Sequence, residues 1–341
     1  SSMAHKVAVV GATGTVGREI LKTLAERAFP VGEVTALSTG RGGGAEVSFG
    51  EDRVLRVKSL EGFDFSDTDL AFFASGAAAA AAHAPRAAAA GCAGIDESPR
   101  FRMEPDVPLV VPEVNAGALK VLRRRRMAAN PDTGAILLAV ALKPLHAIGR
   151  ARRVVATLLH PASGAGKEGM DELWAQTRGV YVNEAPPAEQ FPKQIAFNLI
   201  PQVGDFGEDG MTAAEATLPL ELRKILDPDL AVMATCVRVP VFIGVSATVT
   251  VEFERPLDER TAREALREAP GMIVLDRAEE GGYASPAEIA GEDAVYVSRL
   301  RRDPTAAHGL SFWCVADNLR KGSALNMVQV AEEMVAQGGL G

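Results

Sequence analysis

The stretch "KVAVVGATGTVGREILKTLAERAF", residues 6–29, decides the fold of the N-terminal part of the chain. A short Val-rich run leads into three glycines, and apolar residues then recur at helical spacing: Val16, Ile20, Leu21 and Leu24. Glycines at such a turn let the backbone approach a pyrophosphate, for which the helix N-terminus supplies N–H donors and a favourable dipole. The order strand, glycine turn, amphipathic helix therefore predicts a dinucleotide-binding turn.

The residues that follow the next strand indicate which of two cofactors is expected. "VTALST", residues 34–39, ends at "GRGGG", where the adenosine ribose of a bound dinucleotide is normally recognised. An acidic residue there would bind a 2′-hydroxyl, whereas Arg beside hydroxyls suits a 2′-phosphate. Thr39 and Arg41 occupy this position and no acid does, so the sequence predicts NADP rather than NAD.

Further alternating elements follow. "DLAFFASG", residues 69–76, predicts a buried strand that ends at Ser75 and Gly76, and the Ala-rich segment 77–92 predicts a helix interrupted at Pro85. "AGID" (93–96) and "VPLVVPEVN" (107–115) predict two more strands. This alternation is typical of an α/β fold with a doubly wound parallel sheet.

Composition narrows the class of protein. With 341 residues the chain is long enough for two domains, and its net charge of −8 gives no general attraction for nucleic acid or an anionic membrane. No apolar run could span a bilayer, which predicts a soluble, cytoplasmic protein. The three cysteines are widely spaced and the five histidines lack ligand spacing, so neither a disulfide framework nor a metal site is expected.

A series of motifs runs in order along the chain after "GATGTVG": "FRMEPDVPLVVPEVN", "ALKPL", "SGAGKEGMDEL", "QIAFNLIPQV", "TCVRVPV", "AEIAGEDAVYVSRLRRDP" and "DNLRKGSALN". Together they resemble the aspartate-semialdehyde dehydrogenase family over nearly the whole length. The resemblance implies amino-acid biosynthesis: a cysteine thiolate accepts an acyl group from aspartyl phosphate, and NADPH reduces the thioester. A thiolate suits this step because it is a strong nucleophile near neutral pH.

The positions that carry this chemistry are altered. Where the family resembles "ANPNCST", this chain reads "ANPDTGA", which puts Thr133 at the nucleophile. Where the family resembles "VRVPVFVGHS", this chain reads "VRVPVFIGVS", so Val245 replaces the family's acid–base histidine. Where the family resembles "YQSV", this chain reads "LHPA", so His160 replaces its orienting glutamine. A threonine hydroxyl needs an adjacent base, and valine cannot carry a proton. The resemblance therefore predicts that the thioester chemistry is lost.

The substrate-binding positions divide into two groups. At the phosphate end Thr217 replaces a lysine, Asp132 replaces an asparagine and Glu97 is introduced, so that only Arg102 remains of the family's phosphate contacts. An anion beside an acyl phosphate weakens binding. At the other end Glu215 and Arg238 match the residues for the substrate's amino group and carboxylate. The resemblance thus implies a small amino-acid-like substrate.

The cofactor-binding positions match the family more completely. With Thr15 from the glycine turn and Thr39 from the second strand, the candidate cofactor-binding residues are Gly11, Thr13, Gly14, Thr15, Val16, Thr39, Arg41, Ser75, Gly76, Ser163, Gly164 and Asn318.

Three functions remain open from the sequence. The chain is an NADP-dependent enzyme with new chemistry on an amino-acid-like substrate, for which His160 is a candidate acid or base or only fills the glutamine's volume. It is alternatively a pseudoenzyme that serves as a scaffold, or an ordinary aspartate-semialdehyde dehydrogenase with another nucleophile. Of the cysteines, Cys236 begins a segment that reaches the family's site, but its strand pattern favours packing. Deliberate removal of the active site would give the same pattern.

The domain organisation follows from these elements. Residues 3–128 and 318–341, which include a predicted helix over 323–337, are expected to form a Rossmann-type NADP-binding domain. Residues 129–317 are expected to form an α+β domain with a mixed sheet that carries the substrate pocket and the surface of a homodimer. The Pro-rich segment 186–194 predicts a connecting loop in it.

Overall fold

The computed structural model describes residues 4–40 and 44–340. It divides into two compact units, one comprising Ser1–Asp132 with Ser323–Gly341 and the other Thr133–Gly322. Both divisions lie a few residues later than the sequence predicted. The first does so because the loop before the helix that begins at Thr133 stays with the N-terminal unit.

The N-terminal unit is built on a six-stranded sheet in the order β5-β2-β1-β6-β7-β8, in which every neighbouring pair is parallel. A separate antiparallel hairpin pairs β3 with β4. The strands are β1 (His5–Val10), β2 (Val31–Ser38), β3 (Glu46–Phe49), β4 (Arg53–Arg56), β5 (Lys58–Ser59), β6 (Leu70–Phe73), β7 (Ala93–Asp96) and β8 (Met127–Ala129). This topology confirms the predicted Rossmann-type α/β class.

The helices of this unit are α1 (Thr15–Glu26), α2 (Ala77–Ala89), α3 (Pro112–Asn115), α4 (Leu122–Arg125) and, from the C-terminus, α10 (Leu325–Ala336). The apolar stripe of α1 at Ile20, Leu21 and Leu24 is buried in one core with the apolar side chains of α10 and the inner residues of β1. Helical spacing of apolar residues thus attaches both helices to the sheet.

Two of the predicted elements are wrong. Pro85 does not interrupt its helix, because α2 continues through it to Ala89. The segment 107–115 is not a strand: it makes a single bridge between Leu109 and Ala129 and then turns into α3. Asn115 explains the turn, since its side-chain oxygen accepts the N–H of Val111 and its amide donates to the Leu109 carbonyl.

The second unit contains a mixed sheet, as predicted; it has six strands in the order β10-β9-β11-β14-β13-β12. Its strands are β9 (Ala151–His160), β10 (Ala231–Arg238), β11 (Val245–Phe253), β12 (Met272–Val274), β13 (Val295–Arg302) and β14 (Gly309–Ala316). Its helices are α5 (Thr133–Gly149), α6 (Gly166–Tyr181), α7 (Ala213–Ile225), α8 (Glu259–Glu268) and α9 (Pro286–Ile289).

Helix α5 lies against the middle of this sheet and is buried along most of its length, as its almost uninterrupted apolar sequence requires. Helices α7 and α8 pack beside it. On the opposite surface of the sheet, Thr157, Thr248 and Trp313 lie side by side on three neighbouring strands and are partly or fully exposed. We call this surface the outer face of the sheet. None of the helices among residues 4–40 and 44–340 is long and apolar enough to cross a membrane.

One close contact fixes the start of α1. A Cβ atom at Gly17 would lie 2.0 Å from the carbonyl oxygen of Gly11, so that only glycine lets the helix approach the turn. Gly11 itself has a φ of +86°, and a Cβ there would lie 2.4 Å from the Ala74 carbonyl oxygen.

Gly17→Ala is expected to lower the free energy of unfolding by roughly 1–3 kcal/mol or more, because backbone atoms must move to admit the methyl group. In an ordinary helix the same change stabilises by up to about 1 kcal/mol, so the sign is diagnostic. Urea unfolding measures the difference. Gly117→Ala is the matched control, since nothing lies within 4 Å of its Cβ position. Equal stability of the two variants would contradict the steric account.

Candidate functional site

In the N-terminal unit the glycine turn leads into a helix N-terminus that has no side-chain cap. Gly11 and Ala12 donate their N–H groups to the Leu37 carbonyl at 2.9 and 3.1 Å, which anchors the turn to the end of β2. Helix α1 then begins after Gly14 with neither a side-chain cap nor an acidic residue in its first turn. Such an uncapped N-terminus is suited to a phosphate group.

The ends of three parallel strands surround this turn. Thr39 is exposed directly after β2, and Ser75 and Gly76 follow β6. Gly76 has a φ of +90° and precedes α2, a second helix without a side-chain cap or an acidic first turn. The turn residues Thr13, Thr15 and Val16 are partly exposed. Arg41, the residue predicted to bind a 2′-phosphate, lies outside the described residues.

Arg102 is held by its own unit. Its Nε donates to the Asn130 carbonyl at 2.8 Å and one terminal nitrogen donates to the Glu97 carbonyl at 2.7 Å, and the residue is only 8% exposed. The predicted phosphate contact thus also fixes the loops after β7 and β8.

Glu97 faces this arginine. Burial raises the pKa of Glu97 to about 7; Arg102 opposes the shift, whereas Asp96 and Asp132 add to it. Ser323 donates a long hydrogen bond of 3.4 Å to the carboxyl. The ionised form of Glu97 is therefore disfavoured at this position, although Arg102 partly stabilises it.

In the second unit three neighbouring strand ends bring together residues that are far apart in sequence. Arg238 at the end of β10 is paired with His160 at the end of the parallel strand β9. Strand β11 begins with Val245 on the other side of β9, where its next residue, Ser246, pairs with Leu159. The sheet register thus brings the predicted carboxylate-binding, glutamine and histidine positions together at neighbouring strand ends.

Arg238 is held by contacts on several sides. It is 9% exposed, one terminal nitrogen donates to the Pro161 carbonyl at 2.8 Å, and the guanidinium lies 5.4 Å from the centre of the Phe191 ring. A Cβ at Gly164 would lie 2.8 Å from that nitrogen, so glycine leaves room for it. Phe191 comes from the loop 186–194, which the sequence analysis predicted only as a connection.

Glu215 has a structural role as well as its predicted one. One carboxylate oxygen accepts the Thr212 N–H at 3.0 Å and completes a capping box for α7, and the other accepts the Cys236 N–H at 2.9 Å. These backbone donors lower the pKa of Glu215 against the effect of its burial, so the group is an anion at neutral pH. The Thr-x-x-Glu pattern at 212–215 could have revealed this from the sequence.

Asn318 connects two loops of the same unit. Its side-chain oxygen accepts the Gly244 N–H at 2.8 Å, and its amide nitrogen donates to the Ser163 hydroxyl at 2.9 Å. Asn318 and Ser163 are both buried. These two predicted cofactor contacts therefore also join the loop before β11 to the loop after β9.

Thr133 is the first residue of α5, and its hydroxyl donates to the carbonyl oxygen of Gly322 at 3.1 Å. A backbone carbonyl is a very weak base, so this contact orients the hydroxyl without activating it. Val245 is completely buried. Neither residue provides a proton acceptor.

The three cysteines are all buried. Burial raises the pKa of Cys92 to about 12 and also raises that of Cys314, so both thiols are protonated at neutral pH. Cys236 lies inside β10 and is 1% exposed. Within residues 4–40 and 44–340 no group of histidine, cysteine and carboxylate side chains could hold a metal ion.

Comparison with known proteins agrees with this architecture. Residues 6–122 match the family model "Semialdehyde dehydrogenase, NAD binding domain", and residues 142–321 match "Semialdehyde dehydrogenase, dimerisation domain". The aspartate-semialdehyde dehydrogenase of Rickettsia bellii (strain RML369-C) is 45% identical over 331 residues, which are 97% of this chain and 98% of that protein. The chain belongs to the aspartate-semialdehyde dehydrogenase family.

Other members of the family support the assignment. The enzyme of Aquifex aeolicus (strain VF5) is 42% identical over 98% of this chain and 99% of its own length. The crystal structure of aspartate semialdehyde dehydrogenase II from Vibrio cholerae superposes with a TM-score of 0.95 at 40% identity, covering 98% of this chain and 99% of that one, and the same enzyme has been solved in complex with ASA. The N-terminal unit is therefore a nicotinamide-dinucleotide-binding domain.

The buried carboxyl gives a test of the site's electrostatics. Because the pKa of Glu97 is raised on folding, its stabilising contribution is complete below pH about 4.5 and is lost as the pH rises through about 7. Glu97→Gln should therefore gain stability relative to the parent protein between pH 5 and 8, by up to about 3 kcal/mol. Urea unfolding at both pH values measures this gain.

Glu104→Gln is the control, whose difference in stability from the parent protein should not change between pH 5 and 8. The salt bridges to Arg125 and Arg100 lower the pKa of Glu104 despite its burial, so its contribution is present at high pH and lost on acidification. A pH-independent difference between Glu97→Gln and the parent protein would show that Glu97 is ionised throughout.

Proposed function

We propose that this chain binds NADP and a small amino-acid-like substrate but does not catalyse the thioester reaction of aspartate-semialdehyde dehydrogenase. One observation carries the proposal: the hydroxyl of Thr133 donates to the backbone carbonyl of Gly322, which is too weak a base to activate it. The thioester reaction also requires an acid–base group. Val245 lies at that position, beside the end of β9, and its side chain cannot accept or return a proton.

The binding part of the proposal rests on a different pair of residues. Arg238 is held by Pro161 and Phe191 and presents a cation for a carboxylate, and Glu215 stays ionised for an ammonium group. A relative's structure in complex with ASA supports a ligand of this kind. With both ends of an amino acid recognised, changed NADP-dependent chemistry at its carbonyl carbon is the function we favour, with His160 as its candidate acid or base. A non-catalytic scaffold remains the alternative.

An ordinary aspartate-semialdehyde dehydrogenase is the second candidate. The full-length identity of 45% to a protein of that name favours it, because such similarity commonly preserves activity. It would require a different nucleophile, and Cys236 is the thiol to test, since its N–H contacts Glu215.

The two candidates differ in a direct assay. We expect the protein to show negligible phosphate-dependent oxidation of aspartate semialdehyde with NADP. Thr133→Cys alone should also be inactive, because the proton-transfer group is still absent, whereas Thr133→Cys/His160→Gln/Val245→His should gain measurable activity. Activity is followed by NADPH absorbance.

Turnover of the parent protein on the order of 10 per second would establish the ordinary dehydrogenase instead. Cys236→Ser then provides the control: abolished turnover identifies Cys236 as the nucleophile, and unchanged turnover excludes it. Robust activity of Thr133→Cys alone would mean that Val245 does not occupy the acid–base position.

Cofactor choice has its own test. NADPH should bind more tightly than NADH, because the end of β2 presents Thr39 and the sequence supplies Arg41 but no carboxylate for a ribose hydroxyl. Fluorescence titration of both nucleotides measures the two affinities. Arg41→Ala should weaken NADPH binding by about tenfold or more and leave NADH little changed. Absence of binding by either nucleotide would favour the scaffold.

We also propose that the chain forms a homodimer through the second unit. The match of residues 142–321 to a dimerisation domain supports this assembly.

A further inference from the structure

Helix α6 holds the loop that follows it through the carboxylate of Glu172. One oxygen of this carboxylate accepts the N–H groups of Glu189 and Gln190 at 2.8 and 2.9 Å, and the other accepts the N–H of Phe191 at 3.2 Å. Three successive main-chain donors thus converge on one anion, whose charge strengthens each hydrogen bond. The loop 186–194 is thereby attached to α6 at Phe191 and directly before it.

Gln176 lies one turn further along the same face of α6 and holds the chain on the other side of Phe191. It is completely buried, and its side-chain oxygen accepts the N–H groups of Ile195 and Ala196 at 2.9 and 3.1 Å. Phe191 therefore belongs to a short segment whose two ends are both fixed to one helix.

The ring of Phe191 lies against the guanidinium of Arg238. The centre of the ring is 5.4 Å from Cζ of the arginine, and Phe191 is only 5% exposed. Gly169 of α6 makes room for the ring, because a Cβ atom there would lie 3.1 Å from Cζ of Phe191. A cation is attracted to the face of an aromatic ring. The ring and the Pro161 carbonyl, which accepts a hydrogen bond from Arg238, together fix the orientation of the guanidinium.

Hydrogen-bond chemistry explains why a carboxylate suits position 172. Glutamine has nearly the same size, but the nitrogen of its amide is a donor and cannot accept an N–H group. At this position it would leave at least one of the three loop donors without its acceptor. The segment that carries Phe191 would then be held less firmly, and with it the guanidinium of Arg238.

We propose that Glu172 is a positioning residue for substrate binding: through the main chain at Phe191 it holds the ring that orients Arg238 for the substrate's carboxylate. This inference rests on the proposed function, in which Arg238 binds that carboxylate. A guanidinium held in one orientation matches a planar carboxylate and discriminates against a carboxamide of the same shape. Glu172 therefore contributes to specificity through another residue.

The affinities of L-2-aminobutyrate and L-2-aminobutyramide test the proposal, because the two probes differ only in the carboxylate. Ligand-observed NMR titration gives the ratio of their dissociation constants. The parent protein should prefer the acid by at least about tenfold, and Arg238→Ala should remove this preference. Glu172→Gln and Phe191→Leu should each reduce the preference at least about threefold. The double variant should reduce it no further, because both changes act through the same ring.

Asp171→Asn is the matched control. It removes the same charge from the neighbouring residue of α6, whose exposed carboxylate pairs with Lys167, and it should leave the preference unchanged. A merely structural role of Glu172 would weaken the binding of both probes alike and keep their ratio, which would contradict the proposal. Additive effects of Glu172→Gln and Phe191→Leu, or an equal effect of Asp171→Asn, would contradict it as well.

The same measurements separate a failure of this inference from a failure of the proposed function. If the parent protein binds neither probe or both equally, or if Arg238→Ala keeps the preference, the proposed carboxylate site is wrong and this inference with it. If Arg238→Ala removes the preference but Phe191→Leu leaves it unchanged, only the role of Glu172 is wrong. Phe191→Leu decides this point even where Glu172→Gln does not fold.

Discussion

The pairing of β9 with both of its neighbours is the constraint on which the second unit depends. β9 runs parallel to β10 and antiparallel to β11, and the two registers together place His160 between Arg238 and Val245. A slip of one residue in either ladder would turn these side chains to the other face of the sheet. The backbone therefore decides where the functional groups lie, and the side chains decide only what they do.

This separation explains how a chain can share a family's architecture with Thr133, His160 and Val245 at these positions. Threonine, histidine and valine all fit an element end whose position is set by hydrogen bonds between main-chain atoms. Three other predicted site residues also have a structural role, because Glu215 caps a helix and Arg102 and Asn318 each join separate loops. Replacing any of them would therefore disturb the fold as well as the predicted site.

Local sequence patterns predicted most of the N-terminal unit, because hydrophobic period and glycine position are decided within a few residues. They failed where side-chain hydrogen bonds or contacts with another segment overrode the local preference. The apolar segment 107–115 has a strand-like composition, but Asn115 folds it back after one bridge to Ala129. At the site, motifs identified Glu215, whereas the support of Arg238 by Phe191 depends on a loop whose path no periodicity encodes.

Strand β10 forms one edge of its sheet, and an edge usually offers unpaired main-chain groups to any extended peptide. Here the last part of that edge is already covered. The Cys236 N–H is taken by Glu215, and Arg238 exchanges both of its main-chain hydrogen bonds with Ile200. The C-terminal end of β10 is thereby closed to strand addition, so Glu215 and Ile200 protect the fold from edge-to-edge aggregation.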